Sequence, residues 1–196
     1  MTRIATVALW LVAALIAGCD SSPRPVFQLT DLTGAEFGRD FQLTDPHGKP
    51  RTLADFRGKV VAIFFGFVHC PEVCPTALAE LASVANELGK DADRLQVLLI
   101  TVDPERDTAE LLSKYVPAFD PGFIGLYGDA AATARVAKEF KVFYQKVPGR
   151  TPESYTVDHT AGSYVLDPQG RLRLFVRHGN AAWLADDLRT LLQISG

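Results

Sequence analysis

The sequence predicts an α/β fold built around a central, largely parallel sheet. Two nearly unbroken apolar runs of strand length, residues 59–67 and 95–102, have the composition of strands buried on both faces. Segments with apolar residues at helical spacing follow these runs, so strands and helices alternate along most of the chain. This alternation is typical of α/β domains, and no linker or low-complexity segment divides residues 26–196.

The first predicted elements are two copies of one short motif. Phe-Gln-Leu-Thr-Asp occurs at residues 27–31 and again at 41–45, and each copy leads into a segment with a glycine, Gly34 or Gly48. We interpret both copies as strands that end in turns, because this composition is the usual signal for that arrangement. They predict β-structure ahead of the first buried strand.

A helix is predicted soon after that buried strand. Pro75 suits the first turn of a helix, where its missing N–H costs no hydrogen bond, and Gly89 suits the residue that ends one. Between them, apolar residues recur at helical spacing: Leu78, Leu81, Ala82, Ala85 and Leu88. Residues 70–74 therefore follow the carboxyl end of a central strand, where open α/β sheets place their functional sites.

The rest of the chain continues the alternation. After the second buried strand we expect a polar loop at 103–107, a helix that ends near Pro117, a short strand at 123–127, a helix capped by Asp129, a strand at 141–147 and an exposed loop at 148–157. The last elements are a hairpin of residues 163–167 and 171–176 and a helix capped by Asn180, with Trp183, Leu184, Leu188, Leu191 and Leu192 facing inward.

The N-terminus has the pattern of a secretory signal. Arg3 precedes an apolar run, Ile4 to Ile16, which is shorter than the roughly 20 residues of a membrane span. The segment Ile16-Ala17-Gly18-Cys19 resembles a bacterial lipobox, in which the cysteine carries the lipid and begins the mature chain. We expect residues 1–18 to be a lipoprotein signal peptide and Cys19 to be the lipidation site.

The predicted anchor defines the domain organisation. Residues 19–25 are expected to form a lipid-anchored tether, and 26–196 the folded domain. Asp20 resembles a retention signal for the inner membrane, which places the domain on its periplasmic or extracytoplasmic side. The net charge of −3 and the lack of a Lys/Arg block argue against nucleic acid as a partner. The single methionine is Met1, which excludes a methionine-rich metal site.

Cys70 and Cys74 are the only other cysteines. In an oxidising compartment such a pair is a structural disulfide, a redox couple or a metal site. A bridge that closes so short a loop restrains the unfolded chain little, so stability is a poor reason for it. Both residues lie at the mouth of the predicted helix, where backbone N–H groups and the helix dipole favour thiolate. Thiolate pairs prefer soft ions such as Cu(I), and an imidazole completes a trigonal site.

Three separated motifs then resemble the Sco/SenC family of copper-handling proteins. They are Gly66-Phe-Val-His-Cys-Pro-Glu-Val-Cys-Pro75, Asp103-Pro-Glu-Arg-Asp-Thr108 and Val157-Asp-His-Thr160. They occur in the family's order, and the resemblance runs from about Phe27 to the C-terminus. Small departures are Val68 and Glu72, where relatives usually carry Thr and Asp.

The resemblance implies a thioredoxin-like fold of the peroxiredoxin-like variant. It has a central mixed sheet flanked by helices and an N-terminal β-hairpin extension. It also implies copper binding through Cys70, Cys74 and His159. Asp158 is expected to orient the imidazole or to add negative charge near the cation.

The implied function is that of a membrane-anchored, monomeric copper chaperone. It would assist assembly of the copper A centre in subunit II of cytochrome c oxidase, with other copper chaperones or thioredoxin-like reductants as further partners. Such a metallochaperone needs no enzymatic turnover. The alternative is a thiol–disulfide oxidoreductase in which Cys70 and Cys74 cycle through a disulfide, with Cys70 as the attacking thiol. A peroxiredoxin activity is disfavoured, because Phe67 stands where such an enzyme carries threonine.

The remaining histidines and the 103–108 motif have simpler interpretations. His69 is expected to tune the pKa of Cys70 rather than to bind metal. His47 is expected in a solvated turn, and His178 in a loop at the end of the last strand. Residues 103–108 form either a capped acidic loop without chemistry or a surface for partner docking.

Overall fold

The secondary structure follows the predicted alternation. The computed structural model describes residues 25–151 and 154–194. Its strands are β1 (Thr30–Asp31), β2 (Gln42–Thr44), β3 (Pro50–Thr52), β4 (Val60–Gly66), β5 (Leu95–Thr101), β6 (Ile124–Leu126), β7 (Tyr144–Val147), β8 (Thr156–His159), β9 (Ser163–Leu166) and β10 (Leu172–Val176). Its α-helices are α1 (Val73–Leu88), α2 (Ala109–Tyr115), α3 (Ala130–Glu139) and α4 (Ala181–Ile194). The expected signal peptide, Cys19 and most of the tether lie outside the described residues.

Six strands form the central sheet, in the order β1-β10-β9-β4-β5-β6. β4, β5 and β6 are parallel, whereas β9, β10 and β1 pair antiparallel. The sheet is therefore mixed, as the family resemblance implies, and the prediction of a largely parallel sheet is wrong because three of its five strand pairings are antiparallel. Its parallel part results from the crossovers through α1 and α2, and its antiparallel part from the hairpin that links β9 to β10.

The centre of the sheet is the centre of the hydrophobic core. Every residue of β4 and of β5 is buried, as the two apolar runs predict. α1 and α4 pack against each other and bury the apolar faces that their helical spacing indicates. Phe64, Phe65 and Phe67 are among the largest fully buried side chains. This rigid strand carries the chain to the two cysteines.

The two copies of the N-terminal motif enter different sheets. β1 lies in the first copy and pairs with β10 at the edge of the central sheet. β2 lies in the second copy and pairs with β3, so that these two strands form the expected N-terminal hairpin. β7 and β8 form a third sheet of their own. Part of the segment predicted as a loop, Thr156 and Val157, belongs to β8.

One prediction for the last helix is wrong. Trp183 is 46% exposed, whereas Leu184, Leu188, Leu191 and Leu192 are buried as expected. The four leucines recur at helical spacing along one stripe, and Trp183 lies one residue before its first member. A step of one residue rotates a side chain by about 100° around a helix, so Trp183 faces away from the core.

None of the helices within residues 25–151 and 154–194 combines the length and apolar composition needed to cross a bilayer.

Candidate metal centre

The two cysteines lie where β4 gives way to α1. Cys70 is in the turn after the strand and is partly exposed, whereas Cys74, the second residue of α1, is fully buried. The amide of Cys74 donates a hydrogen bond to Cys70 Sγ over 3.3 Å. Both side chains are free thiols in the structure. The turn thus presents one accessible and one buried sulfur at the same end of the sheet.

Gly66 makes room for the buried sulfur. It is the last residue of β4, and a Cβ atom added there would lie 2.9 Å from Cys74 Sγ and 2.7 Å from the ring of Phe64. Real Cβ atoms do not approach other atoms this closely, so any side chain would displace the thiol or the ring. The glycine is therefore a spatial requirement of the cysteine pair.

His159 approaches the thiols from the end of β8. Its Nε2 atom lies 3.5 Å from Cys74 Sγ, and its Nδ1 atom lies 3.1 Å from the carbonyl oxygen of Thr160. A carbonyl oxygen can only accept, so Nδ1 carries the proton and Nε2 directs its lone pair towards the sulfur. The ligand atoms of Cys70, Cys74 and His159 all lie within 4.8 Å of one another.

Two phenylalanine rings hold the imidazole. Phe64 and Phe67 contact His159 edge to face, with ring centroids 6.0 Å and 5.8 Å from that of the imidazole. Burial lowers the pKa of His159, although the bond to Thr160 and the charge of Asp158 oppose this effect. The neutral form, which is the metal-binding form of histidine, is therefore favoured.

The expectation of a thiolate at the helix mouth is wrong for Cys74. Burial, as the main cause, raises the pKa of its thiol well above the usual range, and the neighbouring Cys70 adds to the effect. The side chain is fully buried, and a hydrogen bond with the backbone of Phe67 opposes the effect only in part. Cys74 is therefore a protonated thiol at neutral pH and must lose its proton to bind a metal.

Asp158 does not hydrogen-bond to the imidazole within the described residues. Its side chain is exposed, and the carbonyl of Thr160 occupies the position on Nδ1 that fixes the tautomer. Its charge contributes by raising the pKa of His159 through space. Of the two roles expected for Asp158, the geometry thus supports the added negative charge.

The other histidines lie apart from the three ligands. His69 is half exposed, its Nδ1 atom is 3.9 Å from Asp107 Oδ1, and it does not join the group of three convergent ligands. His47 is exposed in the turn between β2 and β3, as expected.

His178 is more than a loop residue. Its Nε2 atom is 2.8 Å from Ser163 Oγ and its Nδ1 atom 3.1 Å from Glu80 Oε2, so it connects β9 with α1. Its ring also packs against Phe64, at 5.5 Å between centroids. Sequence reasoning missed this network, because the partners are distant in the chain and carry no recognisable spacing.

The donor set determines what the site can bind. Two thiolates and one neutral imidazole suit a soft cation with a trigonal preference, and a tetrahedral zinc site would need a fourth ligand. Among the described residues, no other group of three Cys, His, Asp or Glu side chains has this convergent arrangement. The same two thiols are also close enough for dithiol chemistry, so geometry supports both kinds of reaction.

Comparison with known proteins identifies the family. The sequence model of SCO1/SenC matches residues 30–193. The chain belongs to the SCO1/SenC family. Among curated SCO proteins, it is 39% identical to the bovine mitochondrial SCO2 homologue over 153 residues, which are 76% of this chain and 58% of the bovine protein. The chain therefore spans little more than half the length of such relatives.

Solved structures of SCO proteins share the fold. Bradyrhizobium japonicum ScoI, determined with copper bound, is 43% identical, with a TM-score of 0.73 over 80% of this chain and 99% of that one. Apo Sco1 from Thermus thermophilus is 41% identical, with a TM-score of 0.76 over 87% of this chain and all of that one. The thioredoxin-like fold with a mixed central sheet is thus confirmed.

Proposed function

We propose that this SCO1/SenC protein binds copper at Cys70, Cys74 and His159 and serves in the assembly of cytochrome c oxidase. The observation that carries the proposal is the convergence of the three ligand atoms within 4.8 Å, with the histidine tautomer that leaves Nε2 free. The copper-bound relative from B. japonicum supports it. The site fits the ion because two thiolates and an imidazole are preferred ligands of Cu(I).

The copper is cargo in this proposal. Cys70, the accessible sulfur, is the ligand that a partner's thiols can reach first, and transfer proceeds by exchange of ligands. Subunit II of the oxidase, with its copper A centre, is the proposed recipient. Other copper chaperones or thioredoxin-like reductants are proposed to load copper or to reduce the pair.

The proposed location is the outer face of the inner membrane. The lipobox-like segment ending at Cys19 supports a lipid anchor, and residues 20–25 supply a short tether to the domain. A labelled fatty acid should be incorporated into the wild-type protein in cells and not into Cys19→Ala. Equal incorporation would remove the anchor from the proposal.

Anaerobic copper titration tests the metal site. We expect the reduced protein to bind one Cu(I), and Cys70→Ala, Cys74→Ala and His159→Ala each to weaken binding at least about tenfold. His47→Ala, in an exposed turn, is the matched control and should bind as the wild type does. Wild-type affinity in His159→Ala would reject the third ligand.

A thiol–disulfide oxidoreductase is the second candidate. The observation that favours it is the pair of free thiols, of which Cys70 is accessible and Cys74 buried, as expected for an attacking and a resolving cysteine. Two electrons and two protons pass from the pair to a substrate disulfide, which becomes two thiols. If oxidase assembly in cells survives His159→Ala but not Cys70→Ala, the redox role is favoured over copper delivery.

A further inference from the structure

The loop between β5 and α2 contacts both halves of the metal centre. This segment, residues 103–107, is called the 103–107 loop below. Its first and last residues, Asp103 and Asp107, are buried carboxylates. Burial of a charged group is costly unless hydrogen bonds compensate, so the bonds of these two residues indicate what the loop holds in place.

On one side, the loop holds the residue that precedes β8. The hydroxyl of Tyr155 donates to Asp103 Oδ1 over 2.7 Å, and Nε of Arg106 donates to Asp103 Oδ2. Arg106 Nη1 also donates to the carbonyl oxygen of Tyr155 over 2.8 Å, and its guanidinium carbon lies 3.6 Å from the centre of the tyrosine ring. Tyr155 is thus bound at its backbone, ring and hydroxyl. His159 is the last residue of the strand that begins beside it.

On the other side, the loop holds the turn that leads to the cysteines. Asp107 Oδ2 accepts hydrogen bonds from the amide of Val68 over 3.1 Å and from the hydroxyl of Thr101 over 2.6 Å. Val68 lies two residues before Cys70, and Thr101 is the last residue of β5. The position of the thiol turn is therefore fixed relative to the same five residues that fix Tyr155.

Outside the core packing of Val157 and of the His159 ring, the hairpin of β7 and β8 is held by polar contacts with this loop. These strands pair with each other and not with the central sheet. A second link, the ion pair of Lys146 with Glu105, is largely exposed, and such pairs contribute little. The contacts of Tyr155 with the loop are buried more deeply and combine charged hydrogen bonds with stacking, which makes them the stronger link.

We propose that the 103–107 loop sets the distance between His159 and the two thiols, with Asp103 and Arg106 as positioning residues that act through Tyr155. This inference rests on the proposed copper site. A metal centre needs its ligands held within about 0.5 Å of the productive geometry. When the hold on Tyr155 is removed, β8 shifts, the imidazole leaves the sulfurs and the site behaves as a two-thiol site.

A double-mutant cycle tests this coupling. Tyr155→Phe keeps the ring and removes only the hydroxyl that bonds to Asp103. We expect it to weaken Cu(I) affinity about tenfold when His159 is present. In the His159→Ala background the same change should alter affinity less than about twofold, because the ligand through which it acts is gone.

The matched control is Tyr144→Phe. Tyr144 lies opposite His159 in the same hairpin, and its hydroxyl makes no hydrogen bond within the described residues. This variant should bind copper as the wild type does. An equal loss of affinity in both tyrosine variants, or an effect of Tyr155→Phe that persists without His159, would overturn the proposal.

Amide hydrogen exchange of the copper-free protein separates this inference from the copper hypothesis. Tyr155→Phe and Arg106→Lys should speed exchange in β7 and β8 and leave β4 and β5 protected. If the wild type binds no copper, the copper hypothesis fails. Faster exchange in the two variants would still show that the 103–107 loop stabilises the hairpin of β7 and β8 through Tyr155. Unchanged exchange in β8 of both variants would reject the hold itself.

Discussion

At the residue scale, single atoms decide how closely the three ligands approach. Gly66 leaves space for Cys74 Sγ, and the carbonyl of Thr160 fixes the proton of His159 on Nδ1. Both residues belong to the sequence motifs, but their roles could not be predicted, since a glycine and a backbone carbonyl carry no chemical signature. Both nevertheless control what the thiols and the imidazole can do, because coordination depends on distance and lone-pair direction.

Gly66→Ala should damage the site more than the fold. The added methyl group must displace Cys74 Sγ or the ring of Phe64, which overpacks the core at a cost of about 1–3 kcal/mol. Copper affinity should fall about tenfold or more because a ligand moves. Gly125→Ala is the matched control. Gly125 lies in β6, away from the site, and its added methyl group would crowd Leu112 of α2. It should lower the free energy of unfolding, measured in urea, and leave copper affinity unchanged.

Copper affinity should decrease as the pH falls. Burial keeps the thiol of Cys74 protonated at neutral pH, so copper binding displaces its proton. Each displaced proton changes the apparent affinity about tenfold per pH unit. Competition titrations at several pH values should show this slope in the wild type and a shallower one in Cys74→Ser. A pH-independent affinity would contradict the protonated thiol.

At the element scale, most helices and strands were predictable, including the short strand β6 and the hairpin of β9 and β10, and β8 was not. β4, β5, α1 and α4 follow from hydrophobic patterns that a buried strand or helix requires. β8 could not be predicted, because the segment around Thr156 and Asp158 is polar and becomes a strand only through pairing with β7. The interior Cys-Cys-His arrangement was predicted through the family resemblance, whereas residue spacing alone left redox and metal roles open.

The chain before β1 is fastened to α4 chiefly by one buried carboxylate, beside an exposed hydrogen bond from Gln28 Nε2 to Asp186. Asp187 is buried and accepts hydrogen bonds from the amides of Gln28 and Leu29. Asp187→Ala should lower the free energy of unfolding by about 1–3 kcal/mol, because it leaves those amides without their acceptor. Asp186→Ala, at the exposed neighbouring position, should change it by less than about 0.5 kcal/mol. Urea unfolding followed by circular dichroism measures both, and equal effects would contradict this role of Asp187.

At the scale of the whole molecule, two partly buried histidines connect stability to pH. Burial lowers the pKa of His159 and of His178, for which Glu80 opposes the effect. Below the ordinary value of 6.5, the unfolded chain therefore binds protons that the folded chain excludes. The sign follows from linkage: stability is complete above pH 6.5 and falls as the pH decreases below it.

The free energy of unfolding should fall by up to about 1.4 kcal/mol per pH unit for each histidine in that window. Asp107 changes the stability in the opposite direction. Burial raises its pKa above the ordinary value of 3.8, so the folded chain keeps a proton that the unfolded chain loses, and stability falls as the pH rises through that window. Urea unfolding at about pH 7.5 and about pH 5.5 should therefore show a smaller difference in His178→Asn than in the wild type. His47→Asn, in the exposed turn, should keep the wild-type difference.

The separation of β7 and β8 from the central sheet places the ligands of the site on two different parts of the fold. The two thiols lie in the turn after β4 and in the first turn of α1, within five residues of each other. The imidazole arrives on an appended hairpin. Of the two proposed activities, dithiol exchange needs only the turn between β4 and α1, whereas copper binding also needs the hairpin, so a change confined to the hairpin should abolish the second and spare the first.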